Sequence, residues 1–159
     1  YFYCFVISMV PLIELRGAIP IAQAFHTADP SFNMLAAYII IAIGNMVPVP
    51  IIFFFARRVL EWGADKKVIG KFFSFCLNKG HKGGEKLKAT AGRGLYIALL
   101  LFVGIPLPGT GAWTGTLAAS FLDMDFKKSV LAVLGGVALA GVIMGVLSFA
   151  VASGVTAIG

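Results

Sequence analysis

Two of the four apolar stretches in this chain are broken near their centres, and those breaks restrict its possible folds more than any other feature. The first stretch runs from about Tyr1 to Phe25 and contains Pro11, Glu14, Arg16, Gly17 and Pro20. The third runs from about Leu95 to Leu122, and its centre is Gly104-Ile105-Pro106-Leu107-Pro108-Gly109-Thr110-Gly111-Ala112-Trp113-Thr114-Gly115. The second, about Asn33 to Phe55, and the fourth, about Ser129 to Val151, are clean. In hydrocarbon every backbone polar group needs an internal partner, so a broken helix is tolerated only where protein surrounds the break. Each broken stretch is therefore expected to form a helix, a turn and a second short helix.

Composition makes lipid the expected solvent. Of the 159 residues 13% are charged and 59% hydrophobic, and the mean hydropathy is +0.94. A soluble domain carries about 25% charged residues, so too few remain here to coat a surface in water. The expectation is a single multi-pass membrane domain over 1–159, with a first repeat at 1–57, a basic connector at 58–94 and a second repeat at 95–159. Tyr1 is already apolar, so the first stretch is expected to begin before it, and no signal-peptide pattern is read.

The net charge of +6 is unevenly spread: ten of the thirteen basic residues fall between Arg57 and Arg93. A basic loop beside membrane segments belongs on the cytoplasmic side. Within it Val68, Ile69, Phe72, Phe73, Cys76 and Leu77 recur at helical spacing among lysines, the pattern of an interfacial amphipathic helix. Lys127-Lys128 return to the same side, whereas His26 to Phe32, free of Lys and Arg, is expected outside. Nucleic-acid binding is not expected, since no soluble reading domain is present. Gly80-His81-Lys82-Gly83-Gly84 lacks the spacing of a phosphate-binding loop. Cys4 and Cys76 fit no metal or redox spacing, and His26 and His81 are expected in loops without ligand neighbours. No metal, cofactor or enzymatic chemistry is expected.

The order broken hairpin, polar loop, clean span occurs twice. Pro11-Leu12 aligns with Pro106-Leu107, Val10 with Ile105, and, with one gap, Ala24-Phe25 with Ser120-Phe121. The first broken stretch holds about 25 residues, near 38 Å of helix, against the roughly 60 Å that two crossings need. Re-entrant hairpins are thus expected over spanning ones. Each half then crosses once and the halves are inverted, a recurrent transporter plan.

Charges at membrane depth are rarely retained without a partner or a task, which singles out Glu14 and Arg16. Their alternatives are a substrate or proton site and a pair of tip charges that satisfy freed backbone groups. A carboxyl away from water can hold a proton, and arginine stays charged and can hold a phosphate or carboxylate. They can face each other only if the chain breaks between or beside them, which Gly17 permits. Pro106 to Gly111 can offer free N–H groups to an anion, or simply form a turn small enough to fit between helices. Gly109, Thr110, Gly111 and Trp113 are candidates on that tip, Trp113 with packing as its alternative. Asn45 either bridges the hairpins or makes a plain interhelical hydrogen bond.

Three stretches resemble the small multidrug export family of bacterial and archaeal membrane proteins: Pro11 to Pro20, Gly44-Asn45-Met46-Val47-Pro48-Val49-Pro50, and Ile105 to Gly115. That family is distantly similar to the DedA proteins. The resemblance implies re-entrant hairpins in an inner membrane and links to export of compounds, proton-coupled transport and movement of lipid carriers. DedA proteins carry charges in the second hairpin, whereas Gly109 to Gly115 is uncharged here. The expected function is a small secondary transporter in which Arg16 and tip amides bind an anionic or amphipathic substrate, such as a lipid-linked phosphate, and Glu14 couples it to protons. Expected partners are membrane lipids, that substrate, protons and a second copy of the chain, packed through the glycine face Gly141-x-x-x-Gly145. The alternative is a non-transporting structural or assembly factor of the membrane.

Overall fold

Helix ends fall where proline and glycine remove or redirect backbone donors. The computed structural model describes residues 1–11, 13–64, 74, 78, 92–107 and 109–158, and among them all regular structure is α-helical. Helix α1 (Phe2–Met9) stops ahead of Pro11, and Val10 is extended at φ −74° and ψ 129°. A proline pushes its predecessor toward extended or turn geometry, so the helix gives out within two residues of the ring. Helix α2 (Glu14–Ala28) begins after a turn and continues through Pro20, which deprives the Arg16 carbonyl of its usual intrahelical donor. The break therefore lies before Glu14, and Gly17 sits inside the helix with its N–H on the Ile13 carbonyl at 3.0 Å.

Helix α3 (Met34–Met46) is capped by Asn33, whose side chain accepts the Ala36 N–H at 3.1 Å. Ser31, two residues earlier and also of a type that caps helices, instead turns its N–H and hydroxyl onto Asp29. Helix α4 (Pro48–Ala64) follows after Val47 alone, itself helical at φ −56° and ψ −44°. Pro48 stands at the first position of α4, where its missing N–H costs least. The stretch Met34–Val59, 26 residues, is long and apolar enough to cross a bilayer.

Helices α5 (Gly94–Gly104) and α6 (Ala112–Phe121) form the second broken unit around a turn at 105–111. Helix α6 ends in a Schellman pair of bonds, Met124 N–H to Ala119 C=O and Asp123 N–H to Ser120 C=O, with Asp123 left-handed at φ +52°. Helix α7 (Phe126–Ile158) then starts with the Asp125 carboxylate accepting the Lys128 N–H. It contains the second candidate span, Phe126–Gly154, 29 residues. The sequence Val68 to Leu77, read as an amphipathic helix, lies outside the described residues except Ser74, as do Cys76 and His81. His26, expected in a loop, occupies the last turn of α2, where its Nδ1 meets the Phe32 carbonyl at 2.8 Å.

Packing is reciprocal between the halves. Within the first, α1 lies against α2 and α3; within the second, α5 lies against α6 and α7. Helix α2 of the first half packs on α7 of the second, and α6 of the second packs on α4 of the first. The shared core holds Leu15, Ile19, Ile41, Val49, Phe53, Val103, Val133 and Val137. Glycines let the helices approach: a Cβ on Gly136 would meet the Leu100 carbonyl at 2.7 Å, and one on Gly145 would run into the Tyr38 hydroxyl. The glycine face assigned to a second copy thus includes Gly145, already spent inside the chain. Outward, Leu35, Ile39, Ile43, Phe54 and Phe55 on one span and Leu131, Val142, Val146 and Phe149 on the other stay exposed. Apolar stripes of that extent are compatible with lipid and a liability in water.

Candidate functional site

The turn between α5 and α6 leaves two sets of backbone groups unpaired in opposite senses. The N-terminus of α6 presents N–H groups with no intrahelical acceptor, and the chain leaving α5 presents carbonyls with no intrahelical donor. The Ile105 N–H closes back on Leu101, the Leu107 N–H on Ile105 and the Thr110 N–H on Leu107, and the carbonyls of Ile105 and Leu107 each keep room for a further donor. One acid and one base from the first hairpin answer these two sets.

Glu14 caps α6 from across the molecule. Its Oε2 accepts the Ala112 N–H and its Oε1 the Trp113 N–H, both at 3.0 Å. The residue is 5% exposed, so its charge is stabilised by these amides and by the positive end of α6. Hydrogen bonds to a charged group contribute roughly 1.5–3 kcal/mol each. Glycine at position 111 makes the approach possible: φ is +145°, and a Cβ there would lie 2.8 Å from Glu14 Cδ, 2.9 Å from Oε1 and closer still to Oε2. Glu14 itself is left-handed at φ +48°, a conformation costing roughly 1–3 kcal/mol for a residue of this kind.

Arg16, one helical step beyond Leu15, reaches the carbonyls. Its Nη1 donates to the Leu107 carbonyl, and its Nη2 to Thr110 Oγ1 at 2.6 Å and to the Ile105 carbonyl at 3.4 Å. The Thr110 hydroxyl, while accepting from Arg16, lies 2.9 Å from both of those carbonyls and can donate to either. A planar guanidinium suits this task because its fixed fork spans several acceptors at once. Three of its five N–H groups are used in these contacts. Glu14 and Arg16 make no ion pair with each other; each is turned toward the second hairpin.

Glu14, Arg16, Thr110, Gly111 and Trp113 are therefore brought together, with Gly109 at φ +82° providing the bend between Leu107 and Thr110. Asn45 is buried in α3, and its carboxamide oxygen has no hydrogen-bond partner. The indole Nε1 of Trp113 is likewise buried and unpaired. Such orphans are uncommon in folded proteins. Leu15, between the two charges, lines an almost wholly apolar groove of about 480 Å³ between α3 and α7, with Tyr38, Ala42 and Gly141.

A second link ties the far ends of the same elements. Arg57 of α4 bonds Asp123 in the α6–α7 turn and Glu61 one turn on, and the Ser120 hydroxyl donates to the Phe53 carbonyl at 2.7 Å. This second link was not read from the sequence. Its signals were an acid directly after an apolar segment, Asp123, and an arginine at the end of a span, Arg57. Among the described residues no group of three or more His, Cys, Asp or Glu is placed to hold a metal.

The sequence model of a protein family described as "Putative small multi-drug export protein" matches residues 14–143. The match opens on Glu14, just past the first turn, and takes in the second hairpin tip, the first candidate span and most of the second. No curated protein and no solved structure matches the chain.

Proposed function

Since this chain belongs to the small multi-drug export protein family, we propose that it is a secondary transporter, not an enzyme, whose two hairpin tips form the substrate site. The carrying observation is the cross-clamp: a buried carboxylate and a half-buried guanidinium of one hairpin hold the backbone of the other. The arms around the second tip support re-entry. Helices α5 and α6 hold 11 and 10 residues, about 15–17 Å of helix each, and neither spans a core near 30 Å. The reciprocal packing of α2 on α7 and α6 on α4 supports a repeated, inverted plan, with 58–94 on the cytoplasmic side of an inner membrane.

Coupling follows from what the amides can hold. Glu14 ionised accepts both N–H groups; Glu14 protonated points an O–H at one of them and gives up a bond. The freed amide, of Ala112 or Trp113, beside the two spare N–H groups of Arg16 and the unpaired indole N–H, then suits the anionic group of a substrate. Protonation and anion binding thus favour each other, and proton and anion move together. The apolar groove at Leu15 suits the tail of an amphipathic anion such as a lipid-linked phosphate.

A static brace is the second reading, favoured by the fact that every contact of Glu14 and Arg16 given above is to the second hairpin. Proteoliposomes separate the two. With an imposed pH gradient, flux of polyprenyl phosphate or an amphipathic dye is expected in the wild type, with its dependence on the gradient lost in Glu14→Gln. Absent flux, or flux indifferent to that change in a folded protein, establishes the brace.

A further inference from the structure

We propose that the groove between the starts of α5 and α7 is a binding site for an anionic glycerophospholipid of the adjoining leaflet, distinct from the hairpin-tip site. The groove has a volume of about 740 Å³ and is lined by Arg93, Tyr96, Ile97, Leu100, Lys128 and Leu131. Its chemistry changes along its length. At the mouth stand Arg93, which precedes α5, and Lys128 in the first turn of α7, both exposed. The Lys128 ammonium lies 5.7 Å from the centre of the Tyr96 ring, which holds it over the groove. One turn further in, the walls are Ile97, Leu100 and Leu131, with Ile97 58% and Leu131 67% exposed.

Arg93, Tyr96 and Leu100 share one face of α5, and Lys128 and Leu131 one face of α7, by their three- and four-residue spacing. Two cations above two apolar rails match a phosphodiester above an acyl chain. Electrostatics also call for an anion. Both basic side chains sit at helix N-termini, where a cation opposes the helix dipole. The nearby acids are already engaged: Asp125 accepts the Lys128 backbone N–H, and Asp123 is bonded to Arg57. Lys128 also lies at the edge of the candidate span Phe126–Gly154, which puts the mouth at headgroup depth.

The test is lipid retention by the full chain, released from nanodiscs of mixed phosphatidylglycerol and phosphatidylcholine with matched acyl chains, read by native mass spectrometry. The wild type is expected to keep phosphatidylglycerol in preference. The double variant Arg93→Gln/Lys128→Gln is expected to lower that preference about thirtyfold, from roughly 1 kcal/mol per basic residue near anionic headgroups. Arg93→Lys, which keeps the charge, is expected to retain it. Leu131→Trp, which fills the apolar end while leaving both cations, is expected to reduce retention as well. Equal retention of the two lipids, no change in the double variant, or displacement by inorganic phosphate as effective as by lipid overturns the proposal. So does photocrosslinking of a probe at position 97 to protein, whether a second copy or the same chain's connector, in place of lipid.

Discussion

Replacing Gly111 by alanine should undo the cap on α6 from a distance, and its magnitude can be worked from the geometry. The added Cβ falls 2.8 Å from Glu14 Cδ and 2.9 Å from Oε1, inside contact distance for both. The carboxylate must withdraw, and two bonds now at 3.0 Å are lost together. At roughly 1.5–3 kcal/mol for each charge-assisted bond, the loss is about 3–6 kcal/mol. Alanine at φ +145° and ψ −173°, a region almost restricted to glycine, adds about 1–3 kcal/mol of backbone strain. The assay is amide exchange at positions 112 and 113 in nanodiscs, where 3 kcal/mol corresponds to about a 150-fold rise in rate if exchange proceeds by local opening. The control is a double-mutant cycle with Glu14→Ala. Without the carboxylate, Gly111→Ala meets nothing but strain, so the coupling should be at least about 2 kcal/mol. Exchange unchanged within about threefold, or strictly additive effects of the two substitutions, would refute the clamp.

Arg16→Lys should cost about 1–3 kcal/mol in unfolding free energy, because a point charge cannot serve the Ile105 and Leu107 carbonyls and Thr110 at once; an unchanged unfolding midpoint contradicts the shared fork. Thr110→Val leaves one carbonyl short of its hydroxyl donor and should cost about 1–2 kcal/mol by the same measurement. Asp29 is held below its ordinary pKa, first by the Ser31 hydroxyl and then by the Ser31 N–H. Its folded-state value is depressed, so its small contribution is present above the unfolded pKa and lost as pH falls through the folded one. Ser31→Ala should raise the Asp29 midpoint in a carboxyl NMR titration, and an unmoved midpoint removes the assignment. Gly44→Ala places a Cβ against the Ser8 hydroxyl and 2.7 Å from the Phe5 carbonyl. Overpacking of that kind costs typically 1–3 kcal/mol, visible as a lowered thermal midpoint.

Much of the architecture was legible because its signals are local. Pro11 ends α1, the Gly104–Gly111 run opens the second turn, and the two clean stretches are the two candidate spans. Where two local signals competed, at Ser31 and Asn33, backbone geometry chose: Ser31 was drawn into a turn with Asp29, leaving Asn33 to cap α3. The meeting of the hairpins was not legible in the same way. Glu14 and Arg16 stood out as charges needing partners, but apart from the Thr110 hydroxyl their partners are main-chain groups, which carry no letter. The clue lay in complementarity. A broken helix exposes donors at one end and acceptors at the other, and an acid and a base two residues apart can serve one of each. The uncharged tip, with no side chain at Gly111, leaves those groups reachable from outside.

The separation of Glu14 from its acceptors' donors, 98 and 99 positions along the chain, has a consequence for biosynthesis. At about 5–20 residues per second, the ribosome delivers Ala112 and Trp113 roughly 5–20 s after Glu14 has left it. Throughout that interval the carboxylate lacks the two amides that hold it in the finished fold. The cap on α6 therefore closes only after the second half has been made, and until then the opening hairpin must be held by water or by other partners.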